Sequence, residues 1–244
     1  MLRQPAYIVV AIAQPLIWLV FVNGVFRQVV QLRGFPAHDY VAYLTPGVAA
    51  MSALFSGAIN GTGMLRDIQH GVVDQLLTLP TRRIALIAGR LSLQLAITLA
   101  QTTAVICVAW GIGAHFANGL TGIAVLYGMT MALGVGFAAL SNGCALLLRS
   151  PESFSAIMNF ILLPITFLST AFMPEGAVAH WIAAVARYNP LNWAAAAGRI
   201  AITSGTAGTP DWMSVVRLGS YLLIFAVCCT IFSAYALDSY RRAT

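Results

Sequence analysis

The chain has 244 residues, of which 59% are hydrophobic and only 8% are charged. A typical soluble domain carries about 25% charged residues, and a folded protein of this size with so little charge cannot stay dissolved in water. The composition therefore excludes an ordinary soluble enzyme and predicts an integral membrane protein. The formal net charge of +6 then reflects how arginine is shared between the two sides of a membrane, and no nucleic-acid partner is expected.

Six apolar runs are long enough, at roughly 20 residues each, to cross a hydrocarbon core. Helices are expected because a backbone in lipid must pair its own N–H and C=O groups. The predicted fold class is an all-α polytopic membrane protein, with residues 1–244 forming a single transmembrane domain. The six transmembrane helices are expected near residues 6–26, 43–63, 84–111, 120–148, 154–172 and 213–237.

The arginines predict the orientation of these spans. An even number of spans places both termini on one side, and that side receives eight arginines against five on the other. Because cytoplasmic loops are enriched in basic residues, we expect both termini to be cytoplasmic. The eight arginines assigned to the cytoplasm are Arg3, Arg66, Arg82, Arg83, Arg90, Arg149, Arg241 and Arg242.

Several kinds of chemistry have no residues to support them. The chain has no lysine, so it cannot form the lysine-containing loop that binds the phosphates of ATP in conventional ATPases. No carboxylate lies near the middle of a span, which argues against proton-coupled transport. The histidines and cysteines show no metal-ligand spacing. We expect no catalytic residue, no metal site and no cofactor bound by this chain.

Uncharged polar residues remain within the spans. The interpretation we favour for each is a hydrogen bond between helices, and the alternative is that some line a path for an amphipathic substrate. Glycines at helical spacing, Gly57 with Gly61 and Gly128 with Gly136, predict close helix packing. The residues of the predicted substrate path are Gln14, Asn23, Asn60, Gln94, Gln101, Asn142 and Asn159.

One charged insert, Arg66–Arg83, separates the second and third spans. At about 100° per residue its apolar side chains fall on one arc and its charged side chains on the opposite side. This pattern predicts a short amphipathic helix. The helix could lie on the inner leaflet, but Asp67 and Asp74 would repel anionic lipid there, so we favour contact with a partner protein.

The stretch from Tyr40 to Leu91 resembles the permease subunits of type-2 ABC exporters, especially the daunorubicin-resistance-like drug exporters of bacteria. The similar features are YLTPG at the start of the second span, Arg66-Asp67 with Gly71, Leu79-Pro80, and Gly89-Arg90. The resemblance implies that the insert is a coupling helix touching a separate ATPase subunit, which binds ATP and magnesium. The residues implied in coupling, including the shorter turn after the fourth span, are Arg66, Asp67, Gly71, Asp74, Leu76, Leu79, Pro80, Arg149 and Glu152.

A second similarity lies in His180–Ile202, where two apolar segments of roughly ten residues are too short to cross a bilayer and meet at Asn189-Pro190. The family has a re-entrant helix pair of this kind on its external face. Asn189, Pro190, Arg187 and Arg199 are therefore expected to form an external gate. Both arginines are expected near the outer interface, with their guanidinium groups reaching headgroups or water.

The resemblance also implies a bacterial plasma membrane protein that works with a second permease, either identical or different. Because the spans carry so little charge, we expect the substrate to be amphipathic, such as a drug, an antibiotic or a lipid, and membrane lipid would surround the protein. The family carries an amphipathic helix before the first span, whereas only Met1–Gln4 precede Pro5 here. We expect either that this helix lies upstream of Met1 or that this member of the family has lost it. Two alternatives stay open, namely an ion-gradient-driven secondary transporter and a membrane-embedded enzyme or assembly factor.

Overall fold

The structure is a computed structural model that describes residues 13–21, 24, 40–73, 75, 84–170, 180–203 and 210–242. Within those ranges every regular element is a helix, as the composition predicts. Residues 13–21 belong to a first helix, α1. The helices with complete bounds are α2 (Tyr40–Gln69), α3 (Ile84–Ile112), α4 (Gly119–Leu148), α5 (Pro151–Phe167), α6 (His180–Ala186), α7 (Pro190–Thr203) and α8 (Trp212–Arg242).

Four helices in the described part of the chain are long and apolar enough to cross a membrane: α2, α3 from Leu86 onward, α4 and α8. The span predicted near 154–172 is placed differently, because α5 begins at Pro151 and ends at Phe167 after 17 residues. About half of the span predicted near 6–26 lies outside the described residues, so the count of six stays a prediction. Four of the predicted spans are confirmed as helices, those near residues 43–63, 84–111, 120–148 and 213–237.

Helix α2 occupies the centre of the bundle. In its most apolar window 89% of the residues are buried, against 22% in the corresponding window of α8. It packs against α3, α4 and α7, while α4 also packs against α8. The backbones of α2 and α4 come very close, because a Cβ on Gly57 would lie 2.7 Å from the carbonyl oxygen of Gly134. Only glycine fits at this crossing.

The glycines predicted to mark close packing do so at three of four positions. A Cβ on Gly61 would collide with Ser141 on α4, and one on Gly136 would lie 2.8 Å from the ring of Phe225 on α8. At Gly128 the prediction is wrong, since nothing lies within 4 Å of the position a Cβ would take. That turn of α4 faces open space.

The outward faces of α3, α5 and α8 are apolar. Leu99, Phe160 and Val216 on these helices are 48%, 78% and 70% exposed. Large continuous apolar surface of this kind is rare on a soluble monomer, and lipid is the solvent that suits it. The chain is a multi-pass membrane protein.

Helices α2, α3, α4 and α5 run alternately up and down, so the bundle has two ends. At the first, Asp67 near the end of α2 contacts Arg90 near the start of α3, and Arg149 after α4 contacts Tyr240 near the end of α8. We call this the Arg66 end. The opposite end contains the start of α2, the loop between α3 and α4, and α7 with its Arg199. We call it the Arg199 end.

Adding one methyl group at the crossing of α2 and α4 should destabilise the bundle. We expect Gly57→Ala to cost about 1–3 kcal/mol, because its Cβ would meet backbone that cannot move aside. Gly128→Ala, where the space is open, should leave stability unchanged. Thermal unfolding of both variants in detergent, followed by intrinsic fluorescence, checks this. Equal midpoints for the two variants would contradict the packing described here.

Candidate functional site

The predicted coupling helix begins differently in the structure. Residues from Arg66 to Gln69 form the last turn of α2, and Gly71 adopts a left-handed conformation with φ of +68°. The prediction of one amphipathic helix starting at Arg66 is therefore wrong, because this glycine allows the chain to leave α2 in the manner of a helix C-cap. Helical structure resumes at Val72, while Asp74, Leu76, Leu79 and Pro80 lie outside the described residues.

An ion pair joins α2 to α3 at this end. The guanidinium of Arg90 donates to the carboxylate of Asp67, and the Arg90 side chain is only 15% exposed. Gly63 makes room for it, since a Cβ at that position would lie 3.3 Å from an Arg90 nitrogen. Arg66 itself is exposed to solvent. From the sequence, Arg90 stood out only as part of the family resemblance, in Gly89-Arg90. No spacing in the sequence indicated that Asp67 is its partner.

The second predicted coupling turn, between α4 and α5, lies at the same end. Arg149 has φ of +55° and ends α4. Its guanidinium lies 4.4 Å from the centre of the Tyr240 ring, so the turn is held against α8. Ser150 caps α5 and also donates to Glu152 at 2.8 Å, and this hydrogen bond lowers the pKa of the Glu152 carboxyl. The described residues of the first predicted coupling segment and this turn thus share one end of the bundle.

Three residues of the predicted substrate path meet in the core between α2, α3 and α4. Asn142 donates to Asn60 at 3.2 Å, and Asn60 donates to Gln94 at 3.2 Å. Gln94 in turn donates to Ser56 at 2.8 Å and to Thr98 at 3.1 Å. We call these five buried residues the amide ladder. It confirms the interpretation that such side chains bond between helices, and adds Ser56 and Thr98, which sequence reasoning missed.

The amide ladder adjoins a cavity. Ser56 belongs to both, and the cavity of about 100 Å³ is also lined by Gln14, Ser52 and Gln101, with Trp18 beside them. Polar side chains from three helices, together with the indole of Trp18, give the cavity the mixed character that an amphipathic ligand requires.

Asn159, a further member of the predicted path, does not reach this cavity. Asn159 is exposed on α5 and donates to the carbonyl of Ser155 in its own helix at 2.9 Å. Asn23 lies outside the described residues. The structure therefore gathers Gln14, Gln101 and the amide ladder into one region and leaves Asn159 apart from it.

At the Arg199 end, Asn189 holds the turn between α6 and α7. Its side-chain amide donates to the carbonyls of Ile165 at 2.6 Å and Leu168 at 3.0 Å, and its side-chain oxygen accepts from the backbone N–H of Leu191 at 2.9 Å. Pro190 begins α7, where a missing N–H costs nothing. The predicted turn is confirmed, and it ties α7 to the end of α5.

Arg199 is buried, which corrects the expectation that it reaches the outer interface. It is only 9% exposed, because α7 inserts between α2, α4 and α8. Its guanidinium donates to the carbonyls of Tyr43 at 3.2 Å and Thr170 at 2.8 Å and lies 4.0 Å from the centre of the Tyr43 ring. Arg187, the other arginine of the predicted gate, is exposed as expected.

Comparisons with known proteins agree with this geometry. Residues 1–203 match the ABC-2 type transporter family. The chain is 25% identical to the putative transport permease ycf38 of Pyropia yezoensis, over 99% of this chain and 84% of that protein. It is also 25% identical to the daunorubicin resistance ABC transporter permease protein DrrB1 of Streptomyces coeruleorubidus, over 98% of this chain and 81% of that protein. The probable doxorubicin resistance ABC transporter permease protein DrrC of Mycobacterium tuberculosis is 23% identical to this chain, over 99% of this chain and 84% of that protein.

Removing the Asn189 side chain should loosen α7. We expect Asn189→Ala to cost about 1–3 kcal/mol, because the carbonyls of Ile165 and Leu168 and the N–H of Leu191 all lose their partner. Asn159→Ala, which removes an exposed amide bonded to its own helix, should cost less than about 0.5 kcal/mol. Unfolding of both variants in mixed micelles measures the difference. An Asn159 variant as unstable as the Asn189 variant would refute this role.

Proposed function

The chain belongs to the ABC-2 type transporter family and is a transport permease, and from that premise we propose that it serves an ATP-driven exporter. ATP and magnesium would be bound by a separate ABC ATPase subunit. The absence of lysine supports this division of labour, since the chain lacks the residue that a phosphate-binding loop requires. A second permease, identical or different, would complete the membrane part of the complex.

The observation that carries the proposal is the arrangement of charge at the Arg66 end. An exposed Arg66 stands on the last turn of the central helix, and the Asp67–Arg90 ion pair fixes that turn to α3. The Arg149 turn beside Glu152 lies at the same end. A partner that pushes here acts on two segments, each held to a neighbouring helix by its own contact.

Helix α2 provides the means to carry such a push across the membrane. Its 30 residues make a rod about 45 Å long. Near its far end, the carbonyl and ring of Tyr43 hold the guanidinium of Arg199 on α7. Gly198 lets α7 approach closely, since a Cβ there would lie 2.8 Å from Pro46. Movement of α2 at the Arg66 end would therefore displace α7, so we propose that Asn189, Pro190, Arg187 and Arg199 belong to an external gate.

We assign the Arg66 end to the cytoplasm, with both termini there, in a bacterial plasma membrane. In the described residues that end holds Arg66, Arg90, Arg149, Arg241 and Arg242, whereas the Arg199 end holds Arg187, Arg199 and Arg217. This bias has the direction that cytoplasmic loops show. Helices α6 and α7 would then form the external re-entrant pair.

For the substrate we propose an amphipathic molecule, such as a drug, an antibiotic or a lipid. Two of the relatives carry names for daunorubicin or doxorubicin resistance, and both names describe those proteins. The support from this chain is the cavity beside the amide ladder. Gln14, Ser52 and Gln101 offer hydrogen bonds from three different helices, and Trp18 and Phe55 offer apolar surface.

Reversing the charge of Arg66 should weaken the hold of the ATPase subunit. We expect Arg66→Glu to lower the amount of P-loop ATPase that copurifies with the tagged chain roughly five- to thirtyfold, or about 1–2 kcal/mol of binding free energy. His180→Glu introduces a negative charge at the opposite end, where His180 is exposed, and should retain the ATPase. Purification from native membranes in mild detergent, with the copurifying proteins quantified, measures both.

The opposite result has a clear meaning. A chain recovered alone, whose transport in vesicles needs no ATP and stops when the proton or sodium gradient is dissipated, would be a secondary transporter. Loss of the ATPase from both variants would show that the Arg66 end is not the contact.

Replacing the amides of the cavity should impair transport more than folding. We expect Gln14→Leu and Gln101→Leu each to raise the cellular retention of daunorubicin severalfold, since each removes a hydrogen-bonding group from the cavity wall. Thr103→Val is the matched control, because Thr103 lies on α3 near Gln101 but is exposed and outside the cavity. Cellular retention is measured by drug fluorescence at matched expression levels, and it is compared between the glutamine variants and the control. Gln14 is exposed, so its variant should fold normally, and unchanged retention in that variant would exclude the cavity.

A further inference from the structure

A wide groove at the Arg199 end lies apart from both the cavity and the coupling segments. It opens between α7 and the first turns of α8 and encloses about 760 Å³. Two arginines, three aromatic side chains and a serine hydroxyl line it. These residues are Arg187, Tyr188, Trp193, Ser214, Arg217 and Tyr221.

The two walls of the groove are fixed to each other. The indole N–H of Trp193 on α7 donates to the carbonyl of Arg187 at 2.6 Å. The same indole packs against the ring of Tyr221 on α8, with the ring centres 5.5 Å apart. Because these contacts join the turn after α6 to α7 and join α7 to α8, the groove is formed before any ligand arrives.

The groove carries net positive charge. Arg187 and Arg217 are both exposed, and Arg217 donates to Ser214 at 3.4 Å. The described carboxylate at this end is Asp211, which accepts from the backbone N–H and the hydroxyl of Ser214, and these bonds lower the pKa of its carboxyl. Asp211 offsets part of the charge of Arg217. The other described carboxylates, Asp67, Glu152 and Asp238, lie toward the Arg66 end.

The part of the groove formed by α8 lies near the start of that helix, where lipid headgroups are expected. Arg217 lies five residues into α8, about 8 Å from the start of the helix. Trp212 at that start is the kind of residue that marks a membrane interface. Below Arg217 the exposed face of α8 is apolar, with Ile224, Val227 and Ile231 each more than half exposed. A cationic, aromatic groove therefore continues into a surface suited to acyl chains.

We propose that this groove binds the headgroup of an anionic phospholipid. The phosphate oxygens accept from the guanidinium groups of Arg187 and Arg217, an arrangement that arginine favours. The acyl chains lie along the apolar face of α8. This binding does not depend on ATP-driven export, so either idea can fail without the other.

Quenching of Trp193 fluorescence tests the site directly. The chain has five tryptophans, and replacing Trp18, Trp110, Trp181 and Trp212 by phenylalanine leaves Trp193 as the reporter. The full-length chain is placed in nanodiscs of phosphatidylcholine with nitroxide-labelled phosphatidylglycerol, or with equally labelled phosphatidylcholine. We expect labelled phosphatidylglycerol to bind in preference at Trp193. That preference should fall roughly fivefold for each of Arg187→Gln and Arg217→Gln.

Two controls separate charge from packing and from distant effects. Arg217→Lys keeps the charge and should keep most of the preference, whereas Arg242→Gln removes an arginine from the other end of α8 and should change nothing at Trp193. Equal quenching by both lipids in the unaltered groove would overturn the proposal, as would a preference that survives in the double glutamine variant. Displacement of the labelled lipid by soluble glycerol phosphate would overturn the lipid assignment.

A second measurement covers the case in which the four tryptophan replacements unfold the chain. Native mass spectrometry of the otherwise unaltered chain can count retained phosphatidylglycerol against phosphatidylcholine. The double variant Arg187→Gln with Arg217→Gln should retain one phosphatidylglycerol fewer than the unaltered chain. The control Arg242→Gln should retain the same number as the unaltered chain. Equal retention in the double variant and the unaltered chain would refute the proposal.

Discussion

Hydrocarbon offers no hydrogen bonds, so every polar group that enters the membrane must find its partner within the protein. That constraint explains why the described spans are helical, and it also decides where their polar side chains lie. Asn60 and Gln94 face each other in the core because neither could face lipid at an acceptable free energy. Arg199 follows the same rule, since two carbonyls and the ring of Tyr43 take the place of water around its guanidinium.

The same constraint makes α2 the axis of the molecule. It is buried along nearly its whole length, and glycine at Gly57 and Gly61 brings its backbone against α4 without leaving space between them. Each end of α2 is held by a different device, an ion pair through Asp67 and a cation–aromatic contact at Tyr43. A helix so enclosed cannot move alone, and any force applied at one end must be shared with α3, α4 and α7.

Arginine serves three purposes in this chain, and its surroundings decide which. Arg90 is largely buried and neutralised by Asp67. Arg199 is buried and solvated by backbone carbonyls. Arg187 is exposed in a groove that is also lined by Arg217 and by aromatic side chains. The side chain is the same, but the first two stabilise contacts between helices and the third is available to a ligand.

The sequence by itself determined the membrane environment, the helical class, most of the long spans and the turn at Asn189, because span length and turn chemistry are local properties set by bilayer thickness and backbone geometry. Only the tertiary structure decided that Asp67 pairs with Arg90, that Arg199 is buried and that Asn159 points away from the core. Periodicity cannot supply these facts when a span is apolar on every side, since it then shows no preferred inner face. The face that turns inward is chosen by neighbouring helices distant in sequence, through close contacts such as the one between Gly57 and Gly134.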